Sequence, residues 1–366
     1  MMRLAATAIC RELGVRYPIF GFSHEPDVIV ALAEAGGFGV LGLAREMPGE
    51  IPRIIEDIES RLGGKPYGID LMLPANVPRS ADIAGMRAQI PPRHQAFVEG
   101  LRRRFGLPAP TRPTFFTSQV RSEELFEGQV DAVLASGARA VATAIGIRPQ
   151  LIERARAAGK YTLSLVGTPR HAQKALDLGV DALVAQGYDA CGHTGSIGTL
   201  SLVPQIVALA SGRPVLAAGG IGTGSQLAAA LAMGAQGAWL GTLWLAAVES
   251  HTPPALLRRL VAAQSVDTTI TRAHSGKPCR VVRSAWIDAW DEEGAPEPLP
   301  MPLQQALTGS DFSAMHEHGQ ADLIYDAAGQ SVFAITGQTT VAAQVQGLVA
   351  QAEAALRAIE SAMRAG

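Results

Sequence analysis

PVLAAGGIGTGSQLAAALAMGAQGAWLGT, residues 214–242, contains one complete unit of chain architecture. Residues 214–219 form an unbroken apolar run. A glycine-rich loop follows, Gly219 to Ser225, and then a helix-forming segment, 226–233, closed by Gly234. A second apolar run, 237–242, completes the unit. Unbroken apolar runs, rather than alternating ones, mark strands buried on both faces, as in parallel sheets. The stretch therefore reads as strand, helix, strand.

The same unit recurs upstream. Apolar runs lie at 18–21, 38–43, 67–73, 140–145, 161–166 and 182–186, which with the two above makes eight. Helical segments between them include 27–35, 51–62, 150–158 and 171–178. Several end in glycine, at Gly36, Gly159, Gly179 and Gly234, which reach the left-handed conformation that closes a helix. Eight such units predict an α/β fold, a closed (β/α)8 TIM barrel, spanning 1–248. Residues 74–116 are too long for a loop. They contain a helix at 95–105 and read as an insertion after strand three, over the barrel mouth. Within it Arg102, Arg103 and Arg104 read as a solvated helix face. Residues 249–366 read as a helical extension packed on the barrel, with helices at 254–263 and 340–364 and a proline-rich stretch at 294–302.

Composition excludes several classes. With 31 basic and 33 acidic residues and a net charge of −2, the 366-residue chain has no general electrostatic grip on nucleic acid. Three widely spaced cysteines, Cys10, Cys191 and Cys279, suggest no disulfide framework and point to a reducing cytoplasm. The N-terminal apolar stretch is broken by Arg11 and Glu12, so it makes no secretory signal. The longest central apolar run, 238–248, is far short of a membrane span. Gly37 to Gly42 matches G-x-G-x-x-G, but these glycines follow a helix and run through a strand, the reverse of a dinucleotide site. His316-Glu317-His318 has metal-like spacing without further ligands and reads as a surface loop.

The chemistry should lie where strands six to eight end. Gly219 to Ser225 and Gly241-Thr242 fall where this fold binds phosphate, with backbone N–H groups and a helix N-terminus for an anion. Strand six runs into Gln186-Gly-Tyr-Asp-Ala-Cys191-Gly-His193-Thr-Gly195. A histidine between glycines at a strand end can exchange a proton near neutral pH, which makes His193 the candidate catalytic residue. His171 sits early in a helix, and His251 and His274 in polar loops. Cys191 is read as a small filler of a tight turn, against the alternative of a nucleophile.

The set AQGYDACGHTG (185–195), AAGGI (217–221) and LGT (240–242), with AEAGGFGVL (33–41) and KPYGIDL (65–71), resembles the nitronate monooxygenase family, formerly the 2-nitropropane dioxygenases. The resemblance covers about residues 17–248. It implies an FMN-bearing (β/α)8 barrel with His193 as the catalytic histidine. It also implies that Gln186 touches the flavin and that Gly219, Gly220, Gly241 and Thr242 hold its phosphate. Phe22, Ser23, Asp70, Cys191, Trp239 and Leu240 fall at other flavin-lining positions. The family usually has Asn where Asp70 stands, Gly for Cys191, Gln for Trp239, and A-P-M for Gly21-Phe22-Ser23. The implied activity is oxidation of alkyl nitronates with O2 to carbonyl compounds and nitrite. An NAD(P)H-dependent quinone or enoyl-thioester reductase of the same fold is the alternative, and a phosphate-ligand-binding barrel without turnover is the non-enzyme alternative. The partners implied are a small-molecule substrate and O2, with NAD(P)H left open. The apolar tail helix 341–363 can bury its face within the chain or against a second copy in a homo-oligomer.

Overall fold

The computed structural model describes residue 4 and residues 7–73, 77–79, 82–112, 115 and 122–364. Residues 74–76, 80–81, 113–114 and 116 of the expected insertion lie outside the described residues, as does most of the segment before residue 7. Each of the eight apolar runs is a strand: β1 (Ile19–Ser23), β2 (Phe38–Gly42), β3 (Tyr67–Met72), β4 (Ala140–Ala144), β5 (Tyr161–Val166) and β6 (Ala182–Gln186). A two-residue strand, β7 (Gly192–His193), stays outside the barrel, and β8 (Val215–Ala218) and β9 (Gly237–Leu240) complete it. All neighbours are parallel, and β9 closes on β1 with Ala238 opposite Ile19 and Trp239 opposite Phe20.

Successive strand side chains point to opposite faces, so a closed barrel needs two apolar sets. Phe20, Phe38, Val40, Leu163, Val184, Leu216 and Trp239 fill the interior. The helix α1 (Ala8–Leu13) adds Ile9, Cys10 and Leu13 to that cluster. Its first turn is tied to the start of β9, where Ile9 N–H donates to Gln236 Oε1 at 3.0 Å, so α1 closes the N-terminal end of the barrel.

The outward set meets the surrounding helices. These are α2 (Pro26–Glu34), α3 (Ile51–Leu62), then α4 (Ile83–Ala88) and α5 (Pro92–Phe105) of the insertion, α6 (Glu123–Leu134), α7 (Pro149–Ala157), α8 (Pro169–Asp177), α9 (Thr199–Leu209) and α10 (Gly224–Ala232). Proline occupies the first turn of α2, α3, α5, α7 and α8, where its missing N–H costs nothing. The helix-closing glycines at 36, 159, 179 and 234 all take positive φ.

The residues after the barrel form α11 (Pro254–Ala262), β10 (Thr268–Thr271), β11 (Cys279–Val282), α12 (Ala285–Ala289), α13 (Leu303–Glu317) and α14 (Val341–Arg364). The extension is therefore not purely helical. β10 and β11 make an antiparallel sheet with β7, the strand that carries His193. Each of β10 and β11 is four residues long, too short to stand out as a periodic run.

α14 lies along α10. Val345, Leu348 and Ala352 join the core of the barrel's outer layer, each large aliphatic contributing roughly 1.5–3 kcal/mol by burial. The approach is close: a Cβ on Gly224 would stand 2.1 Å from the Leu348 carbonyl oxygen.

Two expectations are corrected. The arginine run is solvated only in part: Arg103 and Arg104 are exposed, Arg104 beside Glu292 at 2.7 Å, but Arg102 pairs with buried Asp311 of α13 at 2.5 Å. His316 and Glu317 are not in a loop but in the last turn of α13, and His316 lies 3.2 Å from Asp326. Among the described residues no cluster of metal-ligating side chains occurs, and no helix is long and apolar enough to cross a membrane.

Candidate active site

The C-terminal ends of the barrel strands and the extension enclose a cavity of about 610 Å³, within the usual range for a cofactor pocket. Of the twelve residues singled out from the sequence, eleven form its walls: Phe22, Asp70, Gln186, Cys191, His193, Gly219, Gly220, Trp239, Leu240, Gly241 and Thr242. Ser23 does not. Its hydroxyl accepts the Glu25 N–H at 3.0 Å and so caps the turn into α2.

Residues 186–195 fold back on themselves. Ala190 N–H donates to the Gly187 carbonyl, Gln186 Nε2 to the Cys191 carbonyl at 3.4 Å, and Thr194 Oγ1 to the Gly187 carbonyl at 2.9 Å. Gly187 admits no side chain, since a Cβ there would stand 2.1 Å from Thr199 Oγ1. The fold-back delivers His193 onto β11, opposite Cys279. Its Nε2 lies 2.6 Å from Oγ of Ser275, a residue only 4% exposed. Arg280 of β11 donates from Nε to the Tyr188 carbonyl at 2.9 Å and clamps the same loop. The barrel supplies the histidine, and the extension fixes its orientation.

Three further histidines line the cavity, His24, His171 and His274. The His274 ring lies 6.2 Å from that of His193 and packs edge-on against Phe312 and Tyr325. Arg45 also forms part of the wall. Burial alone would raise the Asp326 carboxyl, but His316, Arg45 and His274 together hold it below the ordinary carboxylate range. The cavity wall thus carries an arginine beside a buried carboxylate. Sequence reading passed over His274, Ser275 and Arg45. The only local signal was a polar His-Ser-Gly between two short β-type runs.

Cys191 behaves as a thiol rather than a nucleophile. Burial raises its pKa, only partly opposed by a hydrogen bond with Thr242. A Cβ on Gly241 would stand 3.0 Å from its sulfur, so it fills the space beside that glycine. Phe22 stacks on Trp239 with centroids 6.4 Å apart, and His24 donates from Nδ1 to the Gly42 carbonyl at 2.8 Å.

The glycines after β8 are required by the protein itself. Gly219 and Gly220 have φ of +112° and +67°, and a Cβ on Gly219 would meet Thr199 Oγ1 at 2.6 Å. The anion cradle is smaller than expected. Gly222 and Thr223 N–H both donate to Gln226 Oε1, and Gly224 N–H donates to Gln351 Oε1 of α14. The helix N-terminus is therefore capped from within the protein. What faces the cavity after β8 is Gly219, Gly220 and Ile221, and after β9 it is Gly241 and Thr242. Thr242 Oγ1 accepts the Gly329 N–H at 2.8 Å, which ties this turn to the extension.

The residues fit a flavin on a specific observation. Asp70 lines the cavity from the inner face of β3 and its Oδ1 has no protein hydrogen-bond partner, which agrees with a ligand that hydrogen-bonds this carboxyl group.

A sequence profile described as nitronate monooxygenase matches residues 7–351. The chain is 43% identical over 310 residues to a Mycobacterium tuberculosis protein named "Putative monooxygenase Rv1533", covering 82% of each chain. It is 30% identical over 346 residues to a Staphylococcus aureus protein named a probable nitronate monooxygenase, covering 88% of this chain and 91% of the relative. Among solved structures, the nitroalkane oxidase of Streptomyces ansochromogenes superposes with a TM-score of 0.79 at 27% identity, over 95% of this chain and 99% of that one. FabK of Thermotoga maritima, at 22% identity and a TM-score of 0.75 over 97% and 98% of the chains, shares the fold.

Proposed function

Because the chain belongs to the nitronate monooxygenase family and is a flavin-dependent oxidoreductase, we propose that it holds FMN and oxidises alkyl nitronates with O2 to carbonyl compounds and nitrite. The observation that carries the reading is His193 at the cavity wall with Nε2 fixed by a buried hydroxyl of the extension. A proton-transfer group must be held in one geometry to act, and a hydrogen bond to a buried partner does that.

The flavin supplies the electron chemistry, as cofactors do, while the protein binds, orients and handles protons. Gly219, Gly220, Gly241 and Thr242 would take the phosphate. Phe22, Asp70, Gln186, Cys191, Trp239 and Leu240 would border the ring. His193 removes the proton from the carbon beside the nitro group when the substrate arrives neutral. When the substrate arrives as the nitronate, the Arg45 guanidinium on the cavity wall would favour the anion. The residues before 249 act as the barrel, and those after it as the wall that completes the site.

The test is the cofactor and its reductant. Released cofactor is identified by mass after denaturation, and the visible spectrum of the holoprotein is followed without oxygen, first with a nitronate and then with NADH. FMN that bleaches with nitronate supports the reading. FAD in place of FMN, or bleaching by NADH alone, rejects it, and bleaching by NADH alone assigns the chain to the reductases.

A further inference from the structure

Asp70 occupies an unusual place for a carboxyl group. Ile69 and Leu71 on either side belong to the outer apolar layer, so Asp70 points into the barrel. Its register partners are Gly42 of β2 and Ala142 of β4, neither of which carries a polar side chain. The residue is 5% exposed, Oδ1 is enclosed without a hydrogen-bond partner, and the remaining exposure opens on the cavity. Among the described residues no cation is ion-paired with it. The basic groups that line the cavity are His24, Arg45, His171, Lys174, His193, His274 and Lys277. His24 is turned to the Gly42 carbonyl, Arg45 is coupled to Asp326, and His193 is held by Ser275.

A carboxylate in such a place is an uncompensated buried charge, whereas a carboxylic acid is a neutral group with one donor and one acceptor. We propose that Asp70 is held as the neutral acid and donates a hydrogen bond to an acceptor on the flavin ring, so that the cofactor is gripped through a proton. The proposal rests on the FMN reading above. Burial alone raises this carboxyl well above its usual range, which agrees with the geometry. One consequence is pH-dependent retention of the cofactor, because ionisation removes the donor and sets a negative charge beside the ring. A second concerns reduction: a neutral acid does not oppose the negative charge a flavin gains on accepting electrons.

The experiment uses FMN-loaded protein as wild type, Asp70→Asn and Asp70→Leu. Infrared difference spectra of wild type against Asp70→Asn at pH 7 should show the carbonyl stretch of a protonated acid in the wild type alone. FMN release on dilution, followed by recovery of flavin fluorescence, gives the affinity at each pH. Asp70→Leu, similar in size but unable to hydrogen-bond, should bind FMN about tenfold or more weakly at all pH values. Asp70→Asn should stay near wild type at neutral pH. Where the acid band disappears with rising pH, wild-type affinity should begin to fall, up to about tenfold per pH unit, while Asp70→Asn stays level. Both proteins carry the same histidines, so their difference isolates residue 70. An ionised carboxylate in the wild type at pH 7 overturns the proposal, as does wild-type affinity in Asp70→Leu. Failure of wild type to retain FMN overturns the FMN reading itself, and is seen before any variant is compared.

Discussion

If Ser275 serves the chemistry by holding His193, removing its hydroxyl should matter only while the histidine is present. The contact is 2.6 Å, the serine is 4% exposed, and its oxygen also accepts the Lys277 N–H at 3.4 Å. In Ser275→Ala the half-buried imidazole loses its partner on the side where Ser275 itself is buried. An unsatisfied buried polar atom costs about 1–3 kcal/mol. Applied to the proton-transfer step, that is a loss of roughly 5–150-fold in kcat/KM. The assay is a double-mutant cycle on a neutral nitroalkane, with Ser275→Ala, His193→Asn and the double variant, all with flavin content measured. The expected result is a full effect of Ser275→Ala in the wild-type background and less than about a twofold effect in the His193→Asn background, since the pair acts as one unit. Additive effects would refute the reasoning and assign Ser275 to the structure of the 272–278 loop. Equal losses on preformed nitronate, which needs no proton removed, would refute it as well.

His193→Asn by itself should lower oxidation of neutral nitroalkanes by about 10²–10⁴-fold, the span of general-base loss, while preformed nitronates retain more activity; equal losses reject the base role. Gly220→Val should lose FMN and lower the melting temperature together, because the +67° backbone and the Asp189 side chain, 3.2 Å from a Cβ, resist it before any ligand is present; wild-type flavin affinity would place the phosphate elsewhere. Asp70→Asn should raise the melting temperature at pH 8. The folded-state pKa of Asp70 is raised, so its stabilising contribution is complete below the unfolded carboxylate range and lost as pH rises towards the folded value. The gap between variant and wild type should therefore close near pH 4, and a gap that widens there contradicts the assignment. Gly224→Ala should cost about 1–3 kcal/mol or more in denaturant unfolding, because its Cβ would stand 2.1 Å and 2.4 Å from backbone atoms of α14; an unchanged midpoint would mean that α14 is not seated on α10.

The sequence by itself determined the barrel, and the reason is local. Parallel strands buried on both faces must be unbroken apolar runs, and the glycines that close the intervening helices interrupt the chain at regular places, so 38–42, 161–166 and 182–186 are legible without any partner. His193 and the glycines of β8 and β9 were legible for a related reason: their neighbours in sequence are also their neighbours at the strand end. α13 was not legible. Gln304, Gln305, Thr308, Asp311 and Ser313 are buried polar residues, so the helix lacks an apolar stripe. Thr308 and Ser313 donate back to the Gln304 and Gly309 carbonyls of their own helix, but Asp311 needs Arg102, 209 residues away, and Gln304 donates from Nε2 to the Ala273 carbonyl at 2.9 Å. The capping of α10 by Gln351, the coupling of His274 to Asp326, and the contact of Ser275 with His193 share that property. Each joins groups more than fifty residues apart, and no periodicity records such a pairing. Tertiary structure alone decided them, because the cost of burying a polar group is settled only when the partner that satisfies it arrives.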